Sequence, residues 1–446
     1  MRFKPYPKYK PAGVEWLGEV PEHWEKIPVR LLASNKDSLF IDGDWIESKD
    51  LSASGIKYLT TGNVGEGYYK EQGAGYISDE KFHELNCTEI FPGDVLISRL
   101  NIPIARACLA PQVDERMVGA VDIVILRPDE QISSKFLVYV MSSKEHFANT
   151  ENLARGTTMQ RISRGTLGGI RVYLPSYGEQ SAIATFLDRE TAKIDTLIAK
   201  QEKLIELLKE KRQAIISHAV TNGLNPNAKM KDSGIEWLGE VPEHWAVKRL
   251  KNISPQITVG IVVEPSKYYV EDGVPALRSL NVQPGRIVTD NLMYISDMDN
   301  EALSKSKLHA GDLVAVRSGQ PGTTAVVPQE LDGCNCIDLI IIRKPTFGSE
   351  HFLCWYLGSD AATYQFSEGS GGAIQQHFNI GSAVNLTIPV PPAEEQITII
   401  TFLDRETTKI DTLIAKAEQA IALQREHRTV LISAAVTGKI DVREAA

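Results

Sequence analysis

Between positions 155 and 164, Arg155, Thr157, Thr158, Gln160, Arg161 and Arg164 bring guanidinium, hydroxyl and carboxamide groups together in a stretch that also holds Gly156 and Gly165. Such groups suit the edges of nucleic-acid bases. A guanidinium forks onto the paired acceptors of guanine, and a carboxamide matches the donor and acceptor of adenine. Glycine lets the backbone come close. A second stretch, Ser370 to His377, offers Gln375, Gln376 and His377 among glycines but no arginine, which favours adenine or backbone contacts. Arg99, Asn101 and Arg106 follow a Gly-Asp-hydrophobic segment at Pro92 to Arg99. Arg317, Ser318 and Gln320 follow a similar one at Ala310 to Arg317. For these the competing reading is a strand-end arginine paired with a nearby carboxylate, and the sequence leaves both open. Thr60, Thr61 and Asn63, with Arg278 and Asn281 opposite, complete the candidates.

Enzymatic chemistry finds little support in the residues. A loop holding a flipped adenine needs an amide or carboxylate before Pro-Pro and an aromatic after it, whereas the Pro-Pro here is Val390-Pro391-Pro392-Ala393. Gly438-Lys439 has no upstream glycine at phosphate-loop spacing and is followed by Ile440. The nine histidines show no metal-ligand spacing, and Cys334 and Cys336 form an isolated CxC, so the five cysteines are expected to be reduced and metal-free. The expectation is a non-catalytic chain.

The net charge of −9 argues against a protein that coats nucleic acid through global basicity. An acidic chain that binds DNA is expected to rely on local basic patches and on a partner for part of the phosphate contact. No stretch approaches the roughly 18 apolar residues of a membrane span, and the N-terminus lacks the apolar core of a secretory signal. A cytoplasmic location is expected.

The chain is a duplication. Trp16 to Trp24 recurs letter for letter as Trp237 to Trp245, Phe186 to Thr191 as Phe402 to Thr407, and Lys193 to Lys200 as Lys409 to Lys416. Between these shared segments, residues 25–175 and 246–390 carry only faint echoes, such as Tyr58 to Val64 with Ala276 to Val282. One frame with two different contents suits two modules with different targets. The shared tryptophans Trp16, Trp24, Trp237 and Trp245 therefore belong to the scaffold.

Periodicity supplies the elements that must hold these residues. Apolar positions at helical spacing run from Glu179 to about Ala219, and again from Glu394 to about Val436, with stops at Gly223 and Gly438. In the first, Leu187, Ile194, Leu208 and Ile215 make one heptad position and Leu197 and Leu204 the other. In the second, Leu403, Ile410, Leu413 and Leu431 line a poorer seam. Lys193, Lys200, Lys203 and Glu206 belong to charged faces. Short apolar runs at Asp94–Ile97, Val121–Leu126, Leu313–Val316 and Ile337–Ile342 read as strands, and Phe136–Met141 and Phe352–Leu357 as short helices. Asn225 to Gly234 matches Tyr6 to Gly13 in position. The fold class is mixed α/β (α+β).

The duplicated order of Trp-Leu-Gly-Glu-Val-Pro-Glu-His-Trp, a Gly-Asp strand, a helix start at Glu179-Gln180 or Glu395-Gln396, then Phe-Leu-Asp-Arg-Glu-Thr and Lys-Ile-Asp, resembles the specificity subunit of type I restriction–modification systems. The resemblance covers essentially the whole chain. It implies two tandem target-recognition domains, each reading half of a split double-stranded DNA site, separated by two long helices that set the spacing. It also implies docking of modification (methyltransferase) subunits, usually two, that use S-adenosylmethionine. A restriction subunit using ATP and Mg would join them, with no cofactor held by this chain. The expected division is an N-terminal segment 1–20, recognition domains 21–178 and 225–393, and helices 179–224 and 394–440. If the helices pair as an antiparallel coiled coil, an internal pseudo-two-fold puts one recognition domain at each end and brings the N-terminal segment to the end of the second helix. The rival reading is a coiled-coil scaffold whose variable domains bind protein or another ligand.

Overall fold

A computed structural model of the chain describes all residues except 1–3, 15–16, 74, 157–158, 319, 369–377 and 445–446. Trp16, Thr157, Thr158, Gln375, Gln376 and His377 therefore lie outside the described residues. The fold is mixed α/β, with two β-rich units. The first comprises Met1–Gln201 with Gln419–Ala446, and the second Glu202–Glu418. Among the described residues no helix is long and apolar enough to cross a membrane.

The first unit holds a four-stranded antiparallel sheet in the order Ala107–Leu109, Val95–Ser98, Ile123–Arg127, Leu39–Asp42. The second repeats it as Thr324–Val326, Leu313–Val316, Leu339–Ile342, Ile257–Val259. Strands such as Val95–Ser98 and Leu339–Ile342 are buried at every position, so they read as continuous apolar runs rather than alternating ones. A second sheet in each unit contains one parallel pairing: Ile56–Leu59 beside Met117–Gly119, and Val274–Leu277 beside Asn335–Cys336. Tyr9–Pro11 pairs with Glu19–Pro21, and Met230–Asp232 pairs with Glu240–Pro242 in the same register. The stretch from Asn225 to Gly234 thus contributes to a hairpin with the repeated opener instead of hanging free.

The long helices run Tyr177–Asn222 and Ala393–Val436. Gly223 (φ +76°) and Gly438 (φ +73°) end them in the left-handed region that a Cβ disfavours. In each unit a segment of one helix packs against a segment of the other. In the first, Arg428 Nε meets Asp195 Oδ1 at 3.0 Å, and in the second Arg212 Nε meets Asp411 Oδ1 at 2.9 Å. The first unit also joins the chain's two ends. Lys4 bridges Asp441, and the Tyr9 hydroxyl donates to the Gly438 carbonyl at 3.1 Å.

One heptad position follows the sequence reading: Leu187, Ile194, Leu208, Leu403, Ile410 and Leu431 are all buried. The other needs correction. Leu197, Leu204 and Leu413 are exposed by 45, 43 and 50%. The second row instead runs through Thr191, Ile198, Ile205, Arg212 and Ala219, and through Thr407, Ile414, Ile421, Arg428 and Ala435, all buried or half-buried. At 3.6 residues per turn a four-residue step stays nearer the stripe than a three-residue step. The threonines disguise this row. Thr191 and Thr407 donate to the carbonyls of Leu187 and Leu403, each at 2.7 Å, which hides the hydroxyl and leaves a methyl in the seam.

This seam can be tested with neighbours on one helix. Ile198→Ser is expected to lower the stability of the isolated chain by about 1–2 kcal/mol, and Leu197→Ser by less than about 0.5 kcal/mol. Denaturant unfolding reads the difference, and equal losses would contradict the assignment.

Candidate nucleic-acid interface

Two consecutive residues at each long-helix start anchor everything that carries candidate side chains. Glu179, in the first turn, accepts from Trp24 Nε1 at 3.0 Å and lies 2.8 Å from His23 Nε2. Glu395 repeats this with Trp245 at 3.1 Å and His244 at 2.7 Å. Gln180 donates to the Pro175 carbonyl and accepts from the Ser133 amide, both at 2.9 Å. Gln396 does the same with Pro391 and Ser349, at 2.8 and 2.7 Å. Ser133 and Ser349 in turn cap the short helices Ser134–Val140 and Glu350–Leu357. Trp24 and Trp245 are almost wholly buried, and Trp237 packs beside Tyr364. These tryptophans belong to the scaffold.

In the first unit the candidates divide into two groups. Arg99 and Arg106 are buried. Arg99 lies 3.1 Å from Asp42 and 3.2 Å from Asp122, and donates to the Val121 carbonyl at 2.6 Å. Burial lowers its guanidinium from the usual value; the two aspartates oppose that shift, and Arg161 and Arg164 add to it. Arg106 spends its donors on backbone carbonyls of Thr61, Val64, Leu100, Asn101 and Pro103. Burial lowers its guanidinium as well.

The second group is exposed. Arg155 and Arg161 exchange backbone hydrogen bonds of 2.9 Å, closing the 155–161 loop into a small hairpin. Gly156 (φ +111°) turns it, and a Cβ there would stand 2.4 Å from the Met159 carbonyl oxygen. Arg161 reaches Asp122 at 2.6 Å, and Arg164, at the start of the helix Arg164–Gly169, lies 3.7 Å from Asp42. Three arginines thus face two aspartates and leave one positive charge, while Arg155 has no carboxylate partner among the described residues. The Asn101 amide donates to the Gln160 carbonyl at 3.3 Å, joining the 99–106 loop to this hairpin. Gln160 Oε1 is enclosed without a hydrogen-bond partner among the described residues.

The second unit repeats part of the arrangement. Arg317 pairs with Asp338 as Arg99 does with Asp122, and Ser318 and Gln320 are exposed beyond it. Val259 stands where the first unit has Asp42, so Arg317 has one carboxylate there instead of two. Asn281 is 1% exposed and works inward: it accepts from the Arg278 amide at 2.9 Å and donates to the carbonyls of Val288 and Asp290. Asn63 does the same with Thr60, Lys70 and Gln72. Both asparagines are turn-builders. Arg278 Nη2 donates to the Asn291 carbonyl at 2.8 Å. Cys334 and Cys336 are buried, and burial raises both thiols, Cys334 to about 12.

Sequence reasoning missed the aspartates Asp42, Asp122 and Asp338, and the clamps on the 99–106 loop. His146 Nε2 meets the Ala105 carbonyl at 3.2 Å and Thr150 donates to the Ile104 carbonyl at 2.7 Å, both from the helix Lys144–Leu153. It also missed Gly43 and Gly260, which donate to equivalent strand carbonyls, and where a Cβ would stand 2.4 Å from the carbonyl oxygens of Ala120 and Cys336. The matching offset of these glycines was the available signal.

Comparison with known proteins adds the decisive observation. The type I restriction modification DNA specificity domain matches residues 37–207. The MjaX specificity subunit of Methanocaldococcus jannaschii, described as part of a type I restriction enzyme, is 25% identical over 440 residues, covering 96% of each chain. Residues 37–207 carry that domain, and the chain is similar over nearly its whole length to specificity subunits of type I restriction enzymes. It is a DNA sequence-specificity subunit, the non-catalytic component of a type I enzyme, and part of that complex. Solved structures share its fold. One, from work on assembly and conformational transition of a type I system, has a TM-score of 0.73 at 16% identity, covering 94% of this chain and 99% of that one. The specificity subunit of Thermoanaerobacter tengcongensis has a TM-score of 0.55 at 16% identity, covering 96% and 100%.

Two measurements test how the specificity subunit builds this site. Trp24→Phe removes a donor from the buried Glu179 carboxylate and is expected to cost about 1.5–3 kcal/mol in thermal or denaturant unfolding. No loss would show the contact to be dispensable. His146 is buried, and burial lowers it from 6.5 to about 4. Its folded pKa lies below its unfolded one, so its contribution is full above about pH 6.5 and fades as pH falls toward 4, by about 3 kcal/mol. Unfolding of His146→Gln at pH 7 and pH 4 is expected to lack that part of the acid sensitivity. An unchanged slope would contradict it.

Proposed function

We propose that the two units of this specificity subunit each read one half of a bipartite double-stranded DNA site, with the long helices setting the spacing and docking two modification (methyltransferase) subunits. Residues 21–178 and 225–393 are the recognition domains in this reading, 179–224 and 394–440 the helical spacers, and 1–20 the segment that pairs with the last helix. The observation that carries it is the frame repeated in both units around loops that differ. The same Glu–Trp–His anchor, turn asparagine and strand-end Arg–Asp pair recur in both units, while the exposed residues on the loops they hold are different.

Within this reading the candidates take distinct roles. Arg155, Gln160, Arg161 and Arg164 face the first half-site from the hairpin and the helix beside it, with Asn101 adjoining and Thr157 and Thr158 as further candidates. Ser318 and Gln320 face the second, with Gln375, Gln376 and His377 as further candidates. Arg99, Arg106, Arg317, Arg278 and Asn281 hold these loops in shape through the partners they meet within the protein. The modification subunits would bring S-adenosylmethionine. Restriction subunits, where present, would use ATP and Mg. The chain itself would hold none of these and would act in the cytoplasm with the DNA. With a net charge of −9, the subunit needs basic surface from its partners to hold the phosphates.

Single-molecule methylation mapping of genomic DNA, with the modification subunit expressed and the gene present or deleted, tests this. The expected result is a split motif methylated only when the gene is intact. Exchanging residues 25–175 for those of a relative is expected to change one half of it. A continuous motif, or a change in both halves, would overturn the division of labour.

A further inference from the structure

Each unit carries one hairpin loop that leaves a Gly-Asp strand with an arginine. In the first, residues 99–106 join Val95–Ser98 to Ala107–Leu109; in the second, residues 317–323 join Leu313–Val316 to Thr324–Val326. Arg99 and Arg317 open the two loops and pair with equivalent aspartates. Each loop then reaches a proline, Pro103 or Pro321, and the residue before it is Ile102 in one and Gln320 in the other. Gln320 is exposed, and Ile102 is 64% exposed.

An exposed isoleucine alone means little, but this one sits on a loop held by three buried side chains. Arg106 donates to the carbonyls of Leu100, Asn101 and Pro103 from beneath, while Thr150 and His146 hold those of Ile104 and Ala105. The neighbouring hairpin, joined through Asn101 and Gln160 and through the bridge between Leu100 and Arg161, presents Met159 at 61% exposure. Arg155, Arg161 and Arg164 lie on the same two neighbouring segments. A fixed apolar tip in a basic setting calls for a ligand with an apolar group among phosphates. In duplex DNA the apolar group on a base edge is the thymine 5-methyl in the major groove.

We propose that Ile102 is a specificity-determining residue that packs on a thymine methyl in the first half-site, from the loop position where Gln320 offers a carboxamide to the second. This rests on the reading of the first unit as a DNA reader. The two units would then use one position, the residue before the loop proline, with different tip chemistry, an aliphatic contact in one and a hydrogen-bonding pair in the other.

The test uses the complex with its modification subunits and duplexes carrying the mapped site. Each thymine of the first half-site is replaced in turn by deoxyuridine, which removes only the methyl. Wild type is expected to lose about three- to tenfold in affinity at one position. Ile102→Ala should bind the parent duplex more weakly by a similar factor and be indifferent to deoxyuridine there. Its response to substitutions in the second half-site should match wild type. The proposal is overturned if no single replacement weakens wild-type binding, if the loss persists in Ile102→Ala, or if the half-site holds no thymine. Absence of specific binding to the parent duplex would instead remove the DNA-reading assignment beneath it.

Discussion

The carboxylate at the start of each long helix is the contact on which the rest of the specificity subunit hangs. Glu179 is 6% exposed, and a carboxylate at that depth is costly unless donors surround it. The Trp24 indole and His23 ring meet it, and the helix N-terminus adds a favourable dipole. The requirement works in both directions: the helix can start only where the opener supplies those groups. Gln180 then fixes the proline turn before the helix and the cap of the short helix beside the sheet. Adjacent side chains thereby tie the opener hairpin, the long helix and the recognition sheet into one frame, and Glu395 and Gln396 repeat it.

Because this frame is satisfied internally, the loops are free to differ. The turn built by Asn63 or Asn281 rests mainly on backbone partners, so most residues around it can change without disturbing it, although the Thr60 hydroxyl also donates to Asn63. The arginine pair shows how far divergence goes. Arg99 has two aspartates, and two further arginines share them; Arg317 has Asp338 alone. Removing Asp42 from the arrangement, as Val259 does, withdraws the reason for a neighbouring arginine cluster. The difference in local charge between the two units at this loop then tracks a single half-buried position.

Much of this was legible in the residues because the chain repeats itself. Identical letters at Trp16 to Trp24 and Trp237 to Trp245 marked scaffold, and Trp24 and Trp245 are indeed core. The strands near Val95 and Leu339 and both long helices could be placed from apolar runs and Gly stops. Pairing across strands could not. For Arg99 and Arg106 the sequence left base reading and internal pairing equally open, because their partners, Asp42, Asp122 and a set of carbonyls, lie far away in sequence or on the backbone. The second helix row was hidden for a different reason: leucines outrank threonine in any hydrophobic pattern, yet Thr191 folds its hydroxyl back on its own helix and enters the seam.

The first unit is discontinuous, and its order of synthesis matters. Its core includes Leu431, Ile432, Ala435, Val436 and Val442 beside Trp24 and Leu187, so the pieces that close it are made at opposite times of translation. The second unit, Glu202–Glu418, is one uninterrupted stretch and can close as soon as it has left the ribosome. A chain that ends soon after Glu418 therefore holds a complete second unit while apolar residues of the first unit's core stay uncovered. The first core is complete only when the last helix is in place.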